Sequence, residues 1–402
     1  MRIQWITGAL ALSLMACASV NGNAAAVAVA DAEVAAKQIA AVNPSEFVDA
    51  GEKSNLHAFD ISSDGRLLAI LYYTWKKSPP YSSSGFWLAL WDISSHKLSR
   101  SIAVLRDIGA AHDYKAGNHV VFTTDQSHVV VLSQNKVFVV DVTTGAVMPW
   151  IPANPDWVPA QVQAVSGTTV AVSYDQKRHG GYYTEFLDAS SLKVKGGWPL
   201  ATIPQSFSPD GKLAVALAVR EWNQGGVAGL QLVDTATGAK LKSIAVGFGF
   251  EHRSPDEGGA VIARFLDDNR IIVTSDDMID HTGNHSGYSL EIISTSQNRI
   301  IQEIKPPHFV PTGNLVVSHD HSHFAVFSLY ASPRAFHFES TNPWDYKEEI
   351  FVFARDGSTP EAVIKHANVG LSYTEEMRVS SDGSVVAFAA ASESVKVYQI
   401  PK

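Results

Sequence analysis

A short pattern recurs seven times along this chain: an alternating apolar strand, a polar turn and a second strand. In each copy, the first of these two strands ends at an equivalent position. The seven end positions are Asp92, Asp141, Asp188, Asp234, Ser294, Ala354 and Gln399, which lie between 45 and 60 residues apart. A repeat of this period is typical of supersecondary units that stack and share their apolar faces.

The turns of the repeat indicate what each unit is. Three of them read Ser-x-Asp-Gly, at residues 62–65, 208–211 and 380–383, and an apolar run follows each one. Glycine at such a turn adopts positive φ, and the aspartate caps the local main chain. A strand that is apolar on both faces fits between two neighbouring sheets. We therefore predict an all-β chain, a seven-bladed β-propeller of four-stranded antiparallel blades. Six or eight blades stay open as alternatives, because the fifth and sixth units are longer.

The two ends of the repeat predict how the ring closes. Only three residues follow Gln399, too few for the outer strand of the seventh blade. The segment 38–48 can form a strand and has no blade of its own. Pairing it with the last blade would cover an exposed sheet edge. We predict a propeller domain over residues 38–402 that an N-terminal strand closes.

Composition narrows the classes of partner. The chain has 402 residues and a formal net charge of −9, and 18% of its residues are charged. Lysines and arginines cluster only in pairs such as Lys76-Lys77. Nucleic-acid binding needs a basic surface, so this sequence predicts no nucleic-acid partner.

The N-terminus predicts export. Residues 1–17 hold one charge, Arg2, and an apolar stretch at 6–16 that is right for a signal peptide and too short to span a bilayer. Residues 14–17 resemble a bacterial lipobox, which predicts lipidation at Cys17, the single cysteine. Ordinary cleavage near residues 16–18 or 23–26 is the alternative. We expect residues 18–37 to be a tether, and the protein to be a periplasmic or outer-membrane lipoprotein or else secreted. A membrane contact would come only through the lipid on Cys17.

Propeller topology sorts the loops by face. The loops between the second and third strands and between blades share one face, and these include the long loops, where binding sites usually lie. One of them carries Asp276, Asp280, His281 and His285, which could hold a divalent cation, calcium or zinc. The alternative is a solvated polar loop.

Aromatic and charged residues of the same face predict a ligand-binding surface. Exposed aromatic rings can stack on sugars or anchor a peptide, and the alternative is that they pack between blades. The residues proposed for this surface are Trp75, Tyr81, Trp222, His252, Arg253 and Trp344.

Histidines at 319, 321 and 323 alternate with Asp320 and Ser322 and could chelate a metal. This segment stands where other blades have a Ser-Pro-Asp-Gly turn, and we expect it to be one residue longer than that turn. We expect it to lie on the opposite face of the propeller from Asp276 to His285. The alternative is a decorated turn in which Asp320 caps the main chain.

The turn patterns resemble those of bacterial secreted YVTN-type and WD-repeat-like propellers over roughly residues 56 to 400. Only Trp91-Asp92 keeps the WD dipeptide. The resemblance implies the fold and a binding or scaffold module for a protein, peptide or glycan in the cell envelope. A propeller enzyme, a hydrolase, lactonase or oxidoreductase with a site at the channel mouth, is the alternative. No Gly-x-Ser-x-Gly elbow and no haem-attachment motif occurs.

Overall fold

The structure, a computed structural model, describes most of the chain. The described residues are 26–28, 36–49, 51–76, 85–106, 117–152, 154, 156–176, 181–219, 227–244, 261–275, 290–305, 311–331, 346–365, 377–390 and 394–401. Seven four-stranded antiparallel blades form a ring, as the repeat predicted, so the chain is a seven-bladed β-propeller. Within these residues no helix is long and apolar enough to cross a bilayer.

Each blade is a meander whose first strand is innermost. Two short N-terminal strands come first, β1 (Ala26–Ala28) and β2 (Lys37–Val42). Blade 1 contains β3 (Glu52–Ile61), β4 (Leu67–Lys76), β5 (Gly85–Asp92) and β6 (Lys97–Arg106). Blade 2 contains β7 (His119–Phe122), β8 (His128–Ser133), β9 (Lys136–Asp141) and β10 (Val147–Trp150). Blade 3 contains β11 (Val158–Ser166), β12 (Thr169–Asp175), β13 (Tyr182–Asp188) and β14 (Lys193–Leu200).

The remaining blades repeat this order. Blade 4 contains β15 (Pro204–Phe207), β16 (Leu213–Val219), β17 (Val227–Asp234) and β18 (Lys240–Ile244). Blade 5 contains β19 (Val261–Asp267), β20 (Arg270–Ser275), β21 (Leu290–Ser294) and β22 (Arg299–Lys305). Blade 6 contains β23 (Pro311–Val317), β24 (His323–Ala331), β25 (Tyr346–Ala354) and β26 (Ala362–Lys365). Blade 7 contains β27 (Met377–Val379), β28 (Val385–Ala390) and β29 (Ser394–Gln399), with β2 as its outer strand.

The core lies between the blades. The seven end positions of the sequence repeat are the last residues of the third strands, from β5 to β29. The described residues form seven apolar clusters, and each cluster joins two adjacent blades. A strand in such a layer is buried on both faces, which is why the second strands read as uninterrupted apolar runs.

The ring closes through the N-terminal strand. β2 pairs antiparallel with β29, with Val42 opposite Val395, and Val42 is only 2% exposed. The predicted closure is confirmed, but the strand is shorter than residues 38–48. Pro44 stops it, because proline has no amide hydrogen for the ladder. A 3-10 turn, η1 (Pro44–Phe47), follows, and the Asn43 side chain accepts a hydrogen bond from the Ser45 amide at 2.9 Å.

The turns after the first strands adopt the predicted conformation. Gly65 has a φ of +68°, and in blade 6 the equivalent position is His321 with a φ of +60°. The Gly65 amide donates to the Ser62 carbonyl at 2.9 Å, and the His321 amide donates to the Ser318 carbonyl at 2.9 Å. The expectation of one extra residue in blade 6 is therefore wrong: His321 occupies the glycine position itself.

One short strand was not predicted from the sequence. β1 lies parallel to β22 at the outer edge of blade 5, with Val27 opposite Ile304. It gives that blade a fifth strand. Part of the segment predicted as a tether thus follows the outside of the ring.

Candidate functional site

The innermost strands surround a central channel cavity of about 210 Å³. All seven blades contribute polar side chains to its walls, and the long or charged ones among them are grouped here. These channel residues are Asp60, His119, Gln161, Gln163, Gln205, Arg264, His319, His321 and Arg378. We call this set the channel cluster.

Asp60 is the acidic residue of the channel cluster and is 1% exposed. Its Oδ2 accepts hydrogen bonds from the Phe122 amide at 2.8 Å and from His319 Nε2 at 3.1 Å. Its Oδ1 accepts from Arg378 Nε at 2.9 Å. Burial alone would raise the pKa of Asp60, but the charges of His319 and Arg378 and these hydrogen bonds outweigh it and lower the pKa. Asp60 is thus an ionised, fully occupied carboxylate.

Two guanidinium groups line the cavity, and one of them, that of Arg378, pairs with Asp60. Arg378 also donates from Nη1 to the Met377 carbonyl at 2.8 Å, and its charge lies 5.8 Å from the centre of the Phe59 ring. Arg264 donates from Nη1 to the carbonyls of Gln205 at 2.7 Å and Ala263 at 3.1 Å. No carboxylate of the described residues pairs with Arg264. The channel therefore holds more positive than negative charge.

The histidines of the channel cluster are in different protonation environments. Burial, followed by the charge of Arg378, lowers the pKa of His119 to about 4, so this ring is neutral at pH 7. Burial also acts to lower the pKa of His319, but the charge and hydrogen bond of Asp60 dominate and raise it. The His319 imidazolium therefore adds to the positive charge as the pH falls.

This arrangement suits binding better than acid–base chemistry. The lowered pKa of Asp60 makes it a weak base, and the protein already donates three hydrogen bonds to its oxygens. Asp60 is the only acidic residue among the residues that line the cavity. A second carboxylate for paired acid–base work is therefore absent from this described lining.

We expect the His319–Asp60 contact to make stability pH-dependent. Because the pKa of folded His319 is raised, its contribution is full below the ordinary value of 6.5 and is lost as the pH rises through the raised value. Because the pKa of Asp60 is lowered, its contribution is full above the ordinary value of 3.8 and is lost as the pH falls. The contact should stabilise most between these two ordinary values.

The measurement is the melting temperature of wild type and His319→Gln from pH 5 to pH 9. The difference between the two should be largest near pH 5 and should shrink as the pH rises. His96→Asn is the control, because His96 is exposed at a turn and Asn tolerates its φ of +56°. A constant difference for His319→Gln across the range would refute the contact.

One residue of the predicted ligand-binding surface lies among the described residues. Trp75 is half-buried near the end of β4 and stacks on Tyr73, with ring centres 5.7 Å apart and an interplanar angle of 16°. It packs against the cluster between blades 1 and 2. The others lie outside the described residues and stay predictions: Tyr81, Trp222, His252, Arg253, Trp344, the metal candidates Asp276, Asp280, His281 and His285, and Cys17.

The histidines at 319, 321 and 323 do not converge on one point. His319 contacts Asp60, His321 donates from Nδ1 to the Phe265 carbonyl at 2.8 Å, and His323 Nε2 lies 3.3 Å from the Glu361 carboxylate. Asp320 caps the turn by accepting from the Ser322 amide at 3.0 Å. No group of three or more potential ligands that could hold a metal occurs among the described residues.

Sequence analysis missed Asp60, Arg264 and Arg378, although the turns carried a usable signal. Asp60 and Arg378 each lie two residues before the serine that begins a Ser-x-Asp-Gly turn, Ser62 and Ser380. A side chain at that position points into the channel, because the residue between it and the serine is part of the core. Counting back from these turns would have identified Asp60 and Arg378, but not Arg264, because the corresponding turn of blade 5 has no Ser-x-Asp-Gly pattern.

No family model matches the chain, and no curated protein matches it in sequence. Solved structures do share its fold. An oligogalacturonate lyase from Vibrio parahaemolyticus is 11% identical with a TM-score of 0.54, and the match covers 94% of this chain and 96% of that one. A chain of a mitotic checkpoint complex is 14% identical with a TM-score of 0.53, covering 91% and 95%.

A third similar structure is hydrazine synthase from Kuenenia stuttgartiensis, 14% identical with a TM-score of 0.51, covering 86% of this chain and 95% of that one. At these identities the likeness shows the fold alone. The class of protein shown is therefore the seven-bladed β-propeller.

Proposed function

We propose that this chain is an exported binding module of the bacterial cell envelope, which holds a protein, peptide or glycan partner at its central channel. The observation that carries the proposal is the channel cluster. It places two arginines and one carboxylate in the lining of one cavity, and the carboxylate already pairs with one of the two arginines. Buried charges of this kind cost stability unless they are paired, so an unbalanced set favours a ligand that completes it.

The envelope location rests on the N-terminal sequence. An apolar segment at 6–16 precedes Cys17, and the lipobox-like residues 14–17 would leave that cysteine as the acylated first residue. A lipid anchor would hold the propeller at a membrane surface, while the ring itself presents the channel to the partner.

One experiment tests location and partner together. The full chain, carrying a C-terminal tag, is expressed in bacteria with a clickable fatty acid, and intact cells are treated with a crosslinker. We expect label on wild type and none on Cys17→Ser, and a crosslinked envelope partner whose yield falls in Arg264→Gln. The matched control is Arg299→Gln on the exposed surface of β22.

Two results would contradict the proposal. One is a protein that stays in the cytosol without label or signal cleavage. The other is stoichiometric calcium or zinc in the purified protein that is lost in His281→Ala, since metal-dependent turnover would then favour the propeller enzyme.

A further inference from the structure

Arg264 and Arg378 occupy corresponding places on the inner wall. The Phe122 amide of blade 2 donates to Asp60 of blade 1, and the Phe265 amide of blade 5 donates to Ser206 of blade 4, at 3.2 Å. The residue just before each of these amides therefore lies at the level of Asp60 and Ser206. Arg264 precedes Phe265, and Arg378 stands where Asp60 stands relative to its turn serine. Both guanidiniums thus lie at one level of the channel.

The two arginines differ in how they are held. Arg378 has a carboxylate partner in Asp60, whereas the hydrogen bonds of Arg264 among the described residues go to the main-chain carbonyls of Gln205 and Ala263. Those carbonyls fix the Nη1 side of the Arg264 guanidinium and leave its other N–H groups available at the cavity. A planar fork of fixed orientation is the group that proteins use for bidentate contacts with carboxylate and phosphate.

The electrostatics of the cavity also favour an anionic ligand. Burial, followed by the charge of Arg378, lowers the pKa of Arg264 to about 10. The same charge acts to lower the pKa values of His119 and His319, although Asp60 outweighs it at His319, whose pKa is raised. One guanidinium therefore acts on three other basic groups across a space of low dielectric constant. An anion placed in that space would be attracted by the charges of Arg264, Arg378 and protonated His319.

We infer that the channel cavity binds one oxyanion, a carboxylate or phosphate group, between the guanidiniums of Arg264 and Arg378. The inference rests on the proposed function and names the chemistry that the partner presents. A cavity of about 210 Å³ accepts a small anion or the anionic end of a larger ligand, but not a folded domain. The side chains of Gln161 and Gln163 line the same cavity, and the Gln163 amide already donates to the Pro204 carbonyl at 2.6 Å.

The test uses the purified full chain with inorganic phosphate and with acetate, each against sodium chloride of equal ionic strength. We expect saturable binding in calorimetry by at least one of these anions and a higher melting temperature that chloride does not reproduce. The anion that binds with the higher affinity shows whether the site prefers a phosphate or a carboxylate group. The pKa of His119 should rise from about 4 on binding, because the anion offsets the charge of Arg378.

Variants show whether the anion binds at the proposed site. Arg264→Gln should weaken binding about tenfold or more, and Arg264→Lys, which keeps the charge without the fork, should weaken it less. Asp60→Asn should strengthen binding, because it removes the anion that already competes for Arg378. Arg299→Gln, on the surface, should leave the affinity unchanged.

Failures of the two proposals are distinguishable. Absence of saturable binding by both anions, or binding that survives Arg264→Gln undiminished, overturns the oxyanion site even if an envelope partner is captured. Saturable binding that Arg264→Gln weakens supports the site even if the protein proves not to be exported.

Discussion

A chain without residues 36–49 is expected to be expressed largely as aggregate. This deletion removes β2, so β29 loses its ladder partner along Lys37–Val42 and presents an open edge. It also removes Val42 and Phe47 from the cluster that joins blades 7 and 1. An exposed, hydrogen-bonding strand edge next to apolar surface is a template for pairing with other chains. Soluble yield and size-exclusion profile provide the measurement.

Two controls separate closure from simple truncation. A chain that lacks residues 1–35 keeps β2 and should remain soluble and monodisperse. Within β2 itself, Val42→Asp should lower the free energy of unfolding by more than about 3 kcal/mol, because it buries a charge in the seam. Ala41→Asp, on the exposed face of the same strand, should cost no more than about 1 kcal/mol. Equal stability of the two aspartate variants would rule out the closure.

Asp60→Asn is expected to be the most destabilising conservative change in the channel. The variant keeps the shape of the side chain but leaves Arg378 and His319 without their counter-charge, in a cavity that Arg264 already makes positive. Removing one partner of a buried ion pair typically costs about 3–5 kcal/mol. For a domain of this size that corresponds to a fall in melting temperature of roughly 4–6 °C.

A second aspartate–arginine pair gives a matched control. Asp356 contacts Arg270 at 2.5 Å, but its side chain is 63% exposed. Solvent screens such a pair, so Asp356→Asn should cost less than about 1 kcal/mol. Adding sodium phosphate should restore little of the loss in Asp356→Asn and should stabilise Asp60→Asn further. If Asp60→Asn melted within about 1 °C of wild type, the ion-pair network of the channel would be refuted.

The architecture could be predicted from the sequence because the same strand ends and turn residues recur along the chain. Asp92 and Asp141 end third strands, and Gly65 and Gly383 take the positive φ that their turns require. These features depend on neighbours a few residues away, so periodicity and turn composition were enough. The closing strand followed from counting strands. Its true end at Val42 did not, because Pro44 and the Asn43 cap act on single positions within a strand-like segment.

The channel cluster could not be assembled in the same way. Asp60 meets His319 across 259 residues and Arg378 across 318 residues of sequence. Such contacts exist only once the ring brings blades 1, 6 and 7 together, and no local pattern encodes a partner at that separation. The error at His321 has a local cause: the alignment of the blades predicted an extra residue, whereas His321 itself takes the glycine position of its turn with a φ of +60°. The residues predicted on the loop face, such as His252 and Trp344, stay predictions.

The pairing of β2 with β29 also sets the order of events during synthesis. Blade 7 is built from residues near both ends of the chain, so it is completed after the other six blades have every strand they need. Until then β2 has no partner, and the ring is an open arc with an unfinished layer at blade 1. The open arc lacks the contacts between residues near opposite ends of the sequence. Contacts at such a sequence separation are the slowest to form. Ring closure is therefore the late step, and the interval before it is when this protein most needs a chaperone.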